Sequence, residues 1–348
     1  MKEVQAALGL RDDQVVIRTG VDESDACYKA AADMADSGCD IVFADSFGHE
    51  SYMIQAAKEF PNVEFCHATG TQAKIINLPN FHNAFASIYE GRFLAGVAAG
   101  MKLNEMIADG KITSDKAVIG YIGAWPYAEV ISGYTSFFLG ARYICPSATM
   151  KVVYTNSWFD IAKEKESAEK LINEGCVLIS QHADSEGAPK ACEIAGVPNV
   201  AYNISTIPLA PNTALISSKI DWVPYFNLII NGVIDKTGIP VDYCGNFETG
   251  SVKMTELNDK VAAEKTAETL AEVEELLKNH RLYVFDTATW TVQGERLDSY
   301  LADVDGDFTG ETNVITTNGS WFYFDESNAH QYRSAPYFDI IIDGITLN

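Results

Sequence analysis

Shifted by 137 residues, the chain matches itself at three separate places. Val15-Val16 falls on Val152-Val153, Gly38-Cys39 on Gly175-Cys176, and Pro61-Asn62-Val63 on Pro198-Asn199-Val200. One offset held across three segments marks a duplicated architecture. Two copies of a strand–helix–strand–helix–strand unit predict two similar lobes. Two facing lobes enclose a cleft, and clefts at strand ends are where ligands bind.

Hydrophobic periodicity fills in the units. In the first copy, 14–19 is a β-branched run and 22–37 carries Cys27, Ala31, Met34 and Ala35 at helical spacing, stopped by Gly38. Strands are then expected at 39–44 and 63–66, with a helix over 50–60 ended by Pro61-Asn62. The second copy predicts strands at 151–155, 176–180 and 200–202 and helices over 163–174 and 186–195. One more unit precedes it, a strand at 117–122 and a helix over 128–143. This rhythm argues for parallel sheets covered on both faces. Further on, a strand at 214–220 and a helix over 222–234 are expected to cross back to the first lobe. A strand at 252–257 and an acidic amphipathic helix over 261–280 follow.

The offset also makes an arithmetic demand. Residues 1–8 fall on 138–145, the end of the helix that follows strand 117–122. The counterpart of that strand would precede residue 1, so lobe 1 is expected to lack its first strand and the ligand loop after it. The expected division is 1–116 for lobe 1, 117–210 for lobe 2, 211–250 for a return to lobe 1, and 251–348 for completion of lobe 2 with a C-terminal extension.

Charge and cysteine usage exclude several functions. A formal net charge of −23 repels phosphate backbones, so no nucleic-acid partner is expected. The seven cysteines, at 27, 39, 66, 145, 176, 192 and 244, form no Cys-x-x-Cys pair and do not cluster with histidines. They read as buried thiols, and neither a metal nor any other cofactor is expected. No Gly-x-Ser-x-Gly, His-Glu-x-x-His or Walker loop is present. His182, Asp184 and Ser185 straddle one loop without forming a nucleophile, base and orienter, so no catalytic residue is assigned.

Ligands of open α/β sheets sit beyond the carboxyl ends of strands. That rule selects Ser46, Phe47 and Thr69 in lobe 1, and Trp125, Trp158, His182, Asp184 and Asn203 in lobe 2, with Asp221 at the crossover. Phe47, Trp125 and Trp158 offer flat apolar faces. Asp184, Asn203 and Asp221 offer acceptors, and Asn203 also donates. Stacking planes with edge-reading polar groups suit a flat heterocycle or a sugar. No Arg or Lys cluster favours phosphate or a free carboxylate. Trp158 either faces ligand or packs between the lobes, and His182 either touches ligand or orients its loop.

Several blocks carry a family resemblance. The run Ser87-Ile-Tyr-Glu-Gly-Arg-Phe-Leu-Ala-Gly-Val-Ala-Ala-Gly100 resembles the helix signature of the basic membrane protein (BMP) family of substrate-binding lipoproteins. Ile119-Gly-Tyr-Ile-Gly-Ala124 with Gly140-Ala-Arg142 and Pro146 is similar to the next block. Thr155-Asn-Ser-Trp-Phe-Asp160, Gln181-His-Ala-Asp-Ser185 and Ser334-Ala-Pro-Tyr-Phe-Asp339 resemble one branch of it. The resemblance implies a type I periplasmic-binding fold, two doubly wound lobes joined by a hinge. It implies an extracytoplasmic protein, lipid-anchored or periplasmic, that serves an ABC permease and binds a purine nucleoside or nucleobase. In the family an aromatic residue at the position of Trp158 stacks on the base. Asn203 stands where an acid binds ribose, and a lysine expected after the crossover strand is replaced near Asp221. These departures shift the expected ligand towards a free purine base or a modified nucleoside. A ligand-sensing regulatory domain of the same fold and a nucleoside hydrolase are the alternative readings.

Overall fold

The computed structural model describes residues 1–326 and 332–348, so 327–331 of the expected C-terminal segment lie outside the described residues. The chain runs through α1 (Lys2–Leu8), α2 (Asp25–Asp36), β1 (Ile41–Ala44), α3 (Glu50–Glu59), β2 (Glu64–Ala68), α4 (Ala73–Ile76) and β3 (Phe81–Ala86). It continues with α5 (Ile88–Ala108), β4 (Val118–Gly123), α6 (Ala128–Ile144), β5 (Thr149–Tyr154), α7 (Ile161–Asn173), β6 (Leu178–Gln181), α8 (Gly187–Ala195), β7 (Asn199–Tyr202) and β8 (Ala214–Ile220). Then come α9 (Val223–Asp235), β9 (Asp242–Gly245), β10 (Val252–Met254) and α10 (Thr266–Lys278). The C-terminal part adds β11 (Leu301–Ala302), β12 (Thr312–Asn313), β13 (Ile315–Asn318), β14 (Trp321–Phe324) and β15 (Ile345–Leu347).

Two separate sheets form the lobes. The smaller has the order β1-β2-β3-β9 and the larger β10-β8-β7-β6-β4-β5-β15. All pairings are parallel except that of β10 with β8. The repeat is visible in the element bounds. Shifted by the sequence offset, α2, β1 and α3 land on α7, β6 and α8 with bounds matching within one residue. Apolar clusters cover both faces of each sheet, as near-continuous apolar strands require.

One predicted strand is absent. Residues 15–22 join no strand ladder, and Val16 and Ile17 are 54% and 63% exposed. Their lobe 2 counterpart, β5, is held between β4 and β15. The smaller sheet contains no counterpart of β4 among the described residues. A β-branched run becomes a strand only when its backbone groups find a ladder.

Among the described residues the chain crosses between the two main sheets three times. Sheet membership puts these crossings at Ser87, after β8 at Asp221-Trp222, and over 246–251 between β9 and β10. The first two fall away from the boundaries at 117 and 211 expected from the sequence. After Ser87 the long helix α5 already packs in lobe 2, and β8 is a lobe 2 strand before α9 packs on the smaller sheet through Tyr225 and Ile229.

Helices α5 and α6 cross at backbone contact. A Cβ at Gly96 would lie 2.0 Å from the Phe137 carbonyl oxygen, and one at Gly140 would lie 2.0 Å from that of Phe93. The listener in this contact is backbone, which cannot swing aside. Gly140→Ala should therefore force the helices apart and destabilise the protein by roughly 1–3 kcal/mol. Urea denaturation checks this, and an unchanged midpoint would refute the close crossing. The contact also positions the cleft, because α5 carries Arg92 and α6 carries Glu129.

Candidate functional site

A cavity of about 280 Å³ opens between the lobes at the carboxyl ends of both sheets. Lobe 1 contributes Asp45, Ser46 and Phe47 after β1, Thr69 after β2, and Phe85 from β3. Lobe 2 contributes Tyr127 and Glu129, Trp158, His182, Asp184, Tyr202, Asn203 and Ile220, and Trp222 lies at the crossing. The volume is at the small end of ligand pockets.

The loops carrying these residues are held by a set of hydrogen bonds. In lobe 1, the His67 ring Nε2 lies 2.7 Å from the Ser46 carbonyl oxygen. The Ser46 hydroxyl donates to Glu23 at 2.6 Å, so that side chain braces its own loop. Buried Glu50 accepts from the Thr71 and Gln72 amides at 2.7 Å and from Asn83 Nδ2 at 3.0 Å. These bonds fix the turn in which Thr69 takes a left-handed φ of 74°. In lobe 2, buried Glu164 accepts from the Ser185 and Asp160 amides. The Asp184 amide donates to the Trp158 carbonyl at 2.9 Å, coupling two cavity residues. Asn203 also takes a left-handed φ, 64°, which short polar side chains tolerate.

Aromatic rings close the mouth of the cavity. Phe47 of lobe 1 stacks on Tyr127 of lobe 2 with centroids 5.3 Å apart and lies 6.3 Å from Trp158. Trp158 is in turn 6.3 Å from the His182 ring, which lies 5.1 Å from Tyr202.

Beneath this wall runs a buried charge relay. Arg92 is only 1% exposed. Its Nη1 donates to the Gln181 carbonyl at 3.1 Å and its Nη2 to His182 Nδ1 at 2.9 Å. Its guanidinium carbon lies 3.4 Å from the Tyr202 ring centroid. Guanidinium can only donate, so His182 Nδ1 is the acceptor and Nε2 carries the proton. That Nε2 faces Glu129 Oε2 at 2.8 Å. Burial lowers the pKa of His182, and Arg92 adds to this while Glu129 opposes it, so the ring is held neutral. Asp184 faces the open cleft. Loss of solvation between the cleft walls, with the nearby carboxylates of Glu129 and Glu164, pushes its carboxyl up to about 7.

Seven of the nine residues picked from the sequence line the cavity: Ser46, Phe47, Thr69, Trp158, His182, Asp184 and Asn203. Two do not. Trp125 lies behind the wall, stacked on Tyr127 at 5.9 Å and 11°. Asp221 is turned to Lys253, 2.7 Å away, and to the Val223 amide at the start of α9. Sequence reasoning missed Asp45, Phe85, Tyr127, Glu129, Tyr202 and Ile220, left Trp222 as a crossover residue, and missed Arg92 below the wall. Asp45, Tyr202 and Ile220 end strands or follow them directly, so the strand-end rule extended by one residue each way would have found them.

Residues 10–282 match the family described as Bmp, ABC transporter substrate-binding protein PnrA-like. The chain belongs to the Bmp family. Among curated relatives, a purine-binding protein of Brucella abortus (strain 2308) is 32% identical over 322 residues, covering 87% of this chain and 86% of its own. A putative ABC transporter glucose-binding protein of Haloferax volcanii is 30% identical over 278 residues, covering 78% of this chain and 67% of its own. Among solved structures, an ABC transporter solute-binding protein from Aeropyrum pernix K1 superposes with a TM-score of 0.65 at 13% identity, covering 82% and 86% of the two chains. The fold of this Bmp protein is thus the two-lobed type I periplasmic-binding fold. As a Bmp substrate-binding protein it works outside the cytoplasm and hands a small molecule to a membrane permease. The family is one of binding proteins and not of enzymes. No helix among the described residues is long and apolar enough to cross a membrane.

Proposed function

We propose that this protein captures a purine base in the inter-lobe cavity and delivers it to its ABC permease. The base stacks on Trp158, and Asp184 with Asn203 reads its edge. The observation that carries the reading is the half-buried indole of Trp158 beside Asp184 and Asn203, in one small cavity closed by Phe47. The similarity to a purine-binding protein supports it. Asn203 in place of a ribose-binding acid favours a free base over a nucleoside. Lipid anchoring, which the family resemblance implies, belongs to the same proposal and is tested by lipid labelling of the natural gene product.

A monosaccharide is the second reading. Aromatic faces with carboxylates also suit sugars, and one relative is named a putative glucose-binding protein. Calorimetric titration with adenine, guanine, hypoxanthine, adenosine, guanosine, inosine and glucose separates the two. Micromolar or tighter binding of a purine is expected. Binding of glucose with no response to any purine would overturn the proposal.

The proposal carries a pH dependence. Ligand N–H groups bind the ionised Asp184, whose carboxyl titrates at about 7 in the free protein. Binding then lowers that pKa, so affinity is full above about pH 7 and falls as the pH drops below it, by up to about tenfold per unit. Titrations of adenine between pH 5.5 and 8.5 should show this slope. A flat profile would remove Asp184 from the contact.

A further inference from the structure

We infer that the cleft selects its ligand by charge, admitting neutral rings that donate hydrogen bonds and excluding anionic ones. The inference rests on the purine reading and names the class of purine within it: aminopurines are taken and oxidised, anionic purines refused.

Three carboxylates line the cavity, those of Asp45, Glu129 and Asp184, and among the described residues no lysine or arginine does. A cation does lie below the floor, but Arg92 is shielded. One nitrogen is given to the Gln181 carbonyl and another to His182, while the Tyr202 ring covers its face. His182 adds no positive charge, because its Nδ1 accepts from Arg92. Glu129 has one oxygen committed to His182.

Asp45 and Asp184 are both exposed, one from each lobe, and Asp184 is the one tied to the Trp158 loop. The charged and titratable groups around Asp184 are Glu129 on α6, Glu164 on α7, Arg92 on α5 and His182 in its own loop, with the Asn203 amide after β7. The carboxylates outnumber the single shielded guanidinium. A ligand entering this partly desolvated space meets negative potential, and like charges repel there far more than in bulk water. Adenine is neutral and carries amino and ring N–H donors. Urate has a similar bicyclic ring but is an anion at neutral pH.

The test is calorimetric titration of the full chain and of Asp184→Asn with adenine, hypoxanthine and urate at pH 8 and pH 6. At pH 8 the wild type should bind urate at least about a hundredfold more weakly than hypoxanthine, the effect of a single close like-charge contact at intermediate dielectric. Asp184→Asn should narrow that gap to about tenfold or less, with the same like-charge contact removed. Lowering the pH to 6 should strengthen urate binding and weaken adenine binding, two opposite slopes from one carboxyl group. Urate bound within about threefold of hypoxanthine at pH 8, less than 1 kcal/mol apart, would overturn the charge rule and leave the purine reading standing. Urate refused equally by wild type and Asp184→Asn at both pH values would mean exclusion by shape, which also overturns it. Failure of all three purines to bind would overturn both readings together.

Discussion

Replacing Arg92 by Ala should cost the protein about 3–5 kcal/mol of stability, the range for removing one partner of a buried, hydrogen-bonded charge network. Arg92 is almost wholly buried, stacks on Tyr202 and donates to both Gln181 and His182. Without it the Gln181 carbonyl and His182 Nδ1 lose their donor, and the cleft floor loses the guanidinium that Tyr202 stacks on. Arg92→Lys should recover only part of the loss, because an ammonium can neither stack flat on Tyr202 nor fork to two acceptors. Urea denaturation of the three proteins measures both effects. A loss below about 1 kcal/mol for Arg92→Ala would mean that the relay is not a structural keystone of the cleft floor, since ordinary surface substitutions already reach about half that size.

Trp158→Ala should weaken purine binding by roughly tenfold to a hundredfold, the equivalent of about 1–3 kcal/mol for one base stacked on an aromatic side chain. The loop itself should survive the change. Its tie to Asp184 runs through the Trp158 carbonyl, which alanine retains, and Glu164 still anchors Ser185 and Asp160. The loss should therefore appear in affinity with little change in the denaturation midpoint. Unchanged affinity would move the stacking surface to Tyr127 or Phe47, the other rings at the cavity mouth.

Much of the fold can be read from residue pattern alone, because most elements state their own period. The apolar runs of β4, β5, β6 and β7 and the amphipathic helices α2, α3, α7 and α8 lie where the sequence predicts them. β3 is different. Phe81–Ala86 is wholly buried yet holds His82 and Asn83, so its pattern does not announce a strand. Tertiary partners make those polar groups tolerable: His82 meets Glu64 and the Pro240 carbonyl, and Asn83 donates to Glu50. The reverse failure is the run 14–19, strand-like in composition but without a ladder to join.

The candidate site divides in the same way. Strand-end position is a local property of the chain, and it brings seven of the nine chosen residues to one cavity. Arg92 and Glu129 could not be chosen so. Arg92 sits in the buried first half of α5, and its partners are supplied by the crossing of α5 and α6 and by a loop 90 residues away. Trp125 and Tyr127 share one loop, and only the packing decides which ring meets the cavity and which supports it from behind.

A planar base is proposed to lie against Trp158. Tryptophan fluorescence during a titration with adenine tests it most directly, with Trp158→Phe as the comparison. The chain has five tryptophans, so the difference between the two proteins isolates the one in question. Saturable quenching is expected in the wild type. In Trp158→Phe most of the quenching should disappear, while calorimetry still detects binding. Adenine binding with the same quenching in both proteins, or no adenine binding by the wild type, would contradict this placement of the base.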